Sequence, residues 1–154
     1  MLMSDVVSRA AKGDITAFAE LYGSVYKKMY CAAYYTLVTE AEAVEAVKIA
    51  ADGVFSGMSS CKNQRDFEAL FLKKLTDKII AAFRSYRKSP AKEDGRANYI
   101  KTQMRRLTDV ERLAVAYNAL FDIDPGKISE ITGLAEDVVS KKLESGQSKI
   151  ADKL

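Results

Sequence analysis

The chain has no histidine and no tryptophan among its 154 residues, and only two cysteines and two prolines. Without histidine it lacks the commonest general base and every Ser-His or Cys-His nucleophile pair. Cys31 and Cys61 are too few and too far apart for a zinc site, which needs about four Cys/His ligands at close spacing. They read as two reduced thiols, one or both packed in helices. No glycine-rich loop is spaced to cradle phosphate, and no set of carboxylates or lysines converges on one place. An enzyme is therefore the weakest reading, and no cofactor, metal or small-molecule substrate is implied. No apolar run approaches the roughly 18–20 residues needed to span a bilayer. The opening MLMSDVVSRAAKGD lacks the basic-then-apolar order of a signal peptide. The expected setting is cytoplasmic, with no membrane insertion. With eight glycines and two prolines, long periodic segments run unbroken, and the expected fold class is all-α.

What the chain does have is charge, unevenly placed. Residues 1–60 carry five Lys/Arg against seven Asp/Glu, a net of −2. Residues 61–106 carry thirteen against five, a net of +8, and residues 107–154 carry six against nine, a net of −3. A basic excess concentrated in the middle third points to a nucleic-acid partner.

The periodicity predicts a run of amphipathic helices. A first helix begins near Ser4 or Asp5 and ends at 12-KGD-14, where Gly13 terminates it and Asp14 can cap the next. The second carries Phe18, Leu21, Tyr22, Val25 and Met29 on one face. A third opens with a Thr39–Glu42 capping box and has Val44, Val47, Ala51 and Val54 or Phe55 as its apolar stripe. A fourth, over about 66–88, buries Phe67, Leu70, Phe71, Leu75, Ile79, Ile80 and Phe83 and turns lysines outward. The stretch 89-SPAKEDGRAN-98 reads as a linker. Beyond it, residues 99–106 read as helical, and a Thr108–Glu111 capping box opens a helix through 122. Then 127-KISEITGLAEDVVSKKL-143 has the glycine-separated pair of short amphipathic helices of a helix-turn-helix. Glu136 and Asp137 open its second helix, where acidic groups favour the positive end of the dipole.

Three stretches together resemble a bacterial RNA polymerase sigma factor of the extracytoplasmic-function type, a diverged member of the sigma-70 family. They are 10-AAKGDITAFAELYGSVYKKMY-30, 67-FEALFLKKLTDKIIAAFRSYRKS-89 and 107-LTDVERLAVAYNALFDIDPGKISEITGLAEDVVSKKLESGQSKI-150, in the family's order and over nearly the whole chain. The resemblance implies a helical domain over 1–88 that docks on polymerase and opens the promoter. It further implies a linker over 89–98 and a promoter-reading helix-turn-helix domain over 99–154. Implied partners are core RNA polymerase and promoter DNA, with an inhibitory anti-sigma protein as a further candidate.

Carried over by position, Glu42, Glu45, Lys48 and Asp52 fall in the polymerase-docking helix. Lys73, Lys74, Lys78, Arg84, Tyr86, Arg87 and Lys88 fall in the promoter-opening helix, where cations meet phosphate and an aromatic ring can stack on an unpaired base. Ser140, Lys141, Lys142, Ser145 and Lys149 fall in the recognition helix. The docking run here reads 44-VEAVKIAAD-52, less acidic than the family's pattern, and the recognition helix continues as 144-ESGQSK-149 with Gly146 inside it. Those departures keep two other readings open. One is a sigma-like protein-interaction module with weakened promoter recognition. The other is a plain DNA-binding regulator that uses only its helix-turn-helix.

Overall fold

The computed structural model describes residues 3–86 and 107–151, and side chains over 5–83 and 107–151. All regular structure among these residues is helical. Helices α1 (Met3–Ala11), α2 (Ile15–Leu37), α3 (Glu40–Ser56) and α4 (Gln64–Tyr86) come first, with a 3-10 turn at Met58–Ser60. Helices α5 (Asp109–Phe121), α6 (Pro125–Thr132) and α7 (Glu136–Ala151) follow. The expected linker 89–98 and the expected helix at 99–106 lie outside the described residues.

Local chemistry sets the boundaries. Asp14 caps α2 by accepting from the Ala17 backbone N–H at 3.2 Å. The Thr108–Glu111 capping box forms with both of its hydrogen bonds. The Thr39–Glu42 box does not. Thr39 takes an extended N-cap conformation, but its hydroxyl donates to the Glu42 carboxylate at 3.0 Å instead of accepting a backbone N–H. The start of α4 falls two residues earlier than periodicity suggests, because Asn63 caps it by accepting from the Asp66 N–H at 2.9 Å.

The core is one continuous cluster. Leu21, Val25, Met29 and Leu37 of α2 meet Val47 and Val54 of α3 and Phe67, Phe71, Leu75 and Ile79 of α4. Leu113, Tyr117, Ile128, Val139 and Leu143 of the later helices belong to the same cluster. The α5–α7 unit thus packs on α2 and α4. On α3 the buried face is smaller than the predicted stripe: Ala43, Ala46, Val47, Ala50 and Val54 point inward. Val44, expected in the core, is 44% exposed, because three alanines fill the inward positions on either side of Val47.

Candidate nucleic-acid and partner interfaces

The helix-turn-helix geometry is built by short-range chemistry. Asp124 caps α6 by accepting from the Lys127 N–H at 2.9 Å, and Pro125 occupies the first turn, where its missing N–H costs nothing. Asn118 secures the preceding turn by donating to Ile123 O at 3.0 Å. Gly133 ends α6 with φ +78°, the left-handed conformation in which glycine carries no Cβ penalty. The Thr132 hydroxyl donates to Ile128 O at 2.8 Å and accepts from the Leu134 N–H at 3.2 Å, fixing the turn between α6 and α7. Glu136 and Asp137 sit exposed in the first turn of α7, as the dipole argument requires.

The candidate recognition residues divide into two faces. Ser140 and Lys141 are exposed on the outer side of α7, and Lys142 is half-buried. Ser145 and Lys149 are turned toward α5. The Ser145 hydroxyl donates to the Glu111 carboxylate, and Lys149 Nζ bonds the same carboxylate at 2.8 Å. Glu111 has a side chain only 3% exposed. Burial alone would raise its pKa, but hydrogen bonds from Lys149, Ser145 and Thr108 outweigh it and bring the group down to about 2. Gly146 allows this approach: a Cβ there would lie 2.7 Å from Val115 Cγ2 and 3.4 Å from Glu111 Cβ. The glycine that weakens α7 as a helix thus lets α5 and α7 close on each other.

The α4 cations are similarly unequal. Lys73 Nζ donates to Ile131 O of α6 at 3.0 Å and pairs with Asp77 at 3.1 Å. Lys74 is exposed, and its stem passes close to Gly53 of α3. Lys78 is half-buried. The polar side of α4 is therefore flanked by α3 at Lys74 and by α6 at Lys73. Arg84 and Tyr86 fall on the last turn of α4, with side chains outside the described set, and Arg87 and Lys88 lie outside the described residues.

Helix α3 presents an outer face that no other described element covers. Glu45, Lys48 and Asp52 are exposed along it and Glu42 is half-buried. Among them stand Val44, Ile49 and Phe55, exposed by 44%, 41% and 38%. The Phe55 ring meets Phe18 edge-on at 5.0 Å, which starts a ladder of stacked rings along α2. Tyr22, Tyr26, Tyr30 and Tyr34 continue it at centroid separations of 5.3–6.4 Å, all stacked but the tilted Tyr22–Tyr26 pair. Periodicity at four-residue steps signals such a ladder, but Phe18 and Tyr22 read as core by the same signal.

Chemistry elsewhere is sparse. Among the described residues no three Cys, Asp or Glu side chains are placed to hold a metal ion, and no helix is long and apolar enough to cross a membrane. Cys61 is buried, and burial pushes its thiol pKa up. A cleft of about 230 Å³ lies where α2 and α4 meet Phe121 and Ile123. No family model matches the chain, and no curated protein matches it.

Proposed function

We propose that this chain is a transcription initiation factor that binds core RNA polymerase and directs it to promoter DNA. The observation that carries the reading is the outer face of α3, where Val44, Ile49 and Phe55 stand among Glu45, Lys48 and Asp52. An apolar helix face rimmed by charge fits a partner protein better than it fits DNA, which asks for cations. The capped helix-turn-helix of α6 and α7, with Ser140 and Lys141 outward, supports the DNA half of the reading. In this reading residues 1–88 and 99–154 act as two functional units in the cytoplasm, one holding polymerase and opening DNA, the other reading it.

A second reading is favoured by the fate of Ser145 and Lys149. With both committed to Glu111, the recognition helix offers DNA few cations, within a C-terminal stretch whose net charge is −3. A sigma-like interaction module with weakened promoter recognition fits that arrangement. Retention of the chain on immobilised core polymerase tests what the two readings share. Wild type should be retained, and Phe55→Glu should not be, while its circular dichroism shows the fold intact at the assay temperature. Equal retention of both proteins would remove α3 from the account.

A further inference from the structure

Where α2 and α4 meet the end of α5 and the turn after it, the packing leaves a cleft of about 230 Å³. Its apolar surfaces come from three places in the chain. Val25 and Met29 of α2 and Leu72 of α4 line it from the core, and Phe121 and Ile123 add a half-buried wall. That wall is fixed in place. Asn118 donates to Ile123 O at 3.0 Å, and the Phe121 ring packs edge-on against buried Tyr117 at 5.4 Å. Charge stands at the same cleft: Lys28 of α2 and Arg65 of α4 both line it, and both are exposed. Among the described residues neither forms an ion pair. Lys28 Nζ lies 5.9 Å from the Phe121 ring centre.

The remaining polar groups narrow what fits. Glu68 is the one carboxylate in the lining, and its Oε1 already accepts from Gln64 Nε2 at 3.2 Å. Ser24 spends its hydroxyl hydrogen on Leu21 O at 2.6 Å and offers a ligand only lone pairs. The side-chain donors left to a ligand are therefore the Lys28 ammonium and the Arg65 guanidinium, a pair that suits a carboxylate. The volume sets the body that carries it. A cavity of about 150 Å³ takes benzene, so about 230 Å³ takes one aromatic ring with a short acid arm. Phe121 and the Met29 thioether both favour a ring over an aliphatic chain. We infer that this cleft binds a small aromatic carboxylate, its ring on Met29, Leu72 and Phe121 and its acid on Lys28 and Arg65. The site is separate from the α3 face and from the recognition helix, and it stands whether or not the chain acts in transcription.

Magnetic resonance of the full chain, isotope-labelled at its methionine methyls, tests the site. Met29 lines the cleft, whereas Met58 is buried outside its lining. The probe is phenylpropionate, and its uncharged amide is the control. The acid should shift the Met29 methyl saturably, with a Kd on the order of 0.1–1 mM, and leave Met58 still. The amide should bind about 10-fold more weakly. Lys28→Gln and Arg65→Gln should each weaken the acid by about 3- to 5-fold and leave the amide unchanged. Ala69 is an exposed helical residue in the lining, so Ala69→Leu should fill the cleft and abolish the shift with both probes. A variant that lost its fold would also move Met58, which separates damage from lost binding. No Met29 shift at roughly 10 mM acid, or equal affinity for acid and amide, overturns the carboxylate site. A peptide ending in a free phenylalanine carboxylate that binds more than about 10-fold tighter than the acid would assign the cleft to a chain end and overturn the small ligand.

Discussion

Glu111 serves two helices at once. It accepts the Thr108 backbone N–H at 2.8 Å, closing the N-terminus of α5, and it takes Lys149 and Ser145 from α7. Its folded pKa of about 2 lies below the ordinary 4.5. A depressed carboxylate contributes stability that is present above the unfolded value and is lost as pH falls through the folded one. Between about pH 4.5 and 2 the unfolded chain takes up the proton first, so acid should remove on the order of 3 kcal/mol. Denaturant unfolding at stepped pH should show that loss in wild type. Glu111→Gln should be weaker at neutral pH and flatter through the acid window, and an equally steep acid loss in that variant would refute the assignment. Gly146 offers a second test at this scale. Alanine gains up to about 1 kcal/mol of helix propensity, but its Cβ meets Val115 at 2.7 Å. Overpacking of that kind costs roughly 1–3 kcal/mol, so Gly146→Ala should lower the melting temperature despite the better helix former.

At the scale of elements, α7 and α3 each divide into a face packed in the fold and a face left exposed. On α7, Lys141 is outward and Lys149 is tied to Glu111, although both are lysines of one candidate recognition helix. Lys141→Gln should weaken DNA binding and lower the salt slope by about one contact. Lys149→Gln should leave the slope unchanged and lower stability instead. Fluorescence titration across salt concentrations, paired with thermal melts, separates the two. The caps at Asp14, Thr108 and Gly133 were legible from sequence because an N-cap or a left-handed glycine acts within a few residues of itself. The exposure of Val44, the burial of Tyr117 and the inward turn of Ser145 were not, since each is decided by a helix distant in the chain. Gly146 carried the one available signal: a glycine inside a helix marks either a weak point or a close approach, and here it is the approach. The helix-turn-helix was therefore readable as a shape, while the division of its side chains between fold and surface was not.

At the scale of the whole molecule, the described helices join early to late through one hydrophobic core, a buried Tyr117–Thr76 hydrogen bond and two cations, each placed on the C-terminal end of a helix across the join. The chain's basic excess lies at 61–106, and among the described residues α3 leaves Val44, Ile49 and Phe55 exposed. On the proposed function, little affinity for free DNA would be needed, because polymerase bound at α3 would hold the candidate recognition helix at high local concentration. The most direct test of the central claim is run-off transcription by core polymerase on genomic fragments, with and without the protein. The account predicts discrete transcripts that appear only when the protein is present and that Phe55→Glu abolishes. Polymerase that produces no protein-dependent transcript would contradict it.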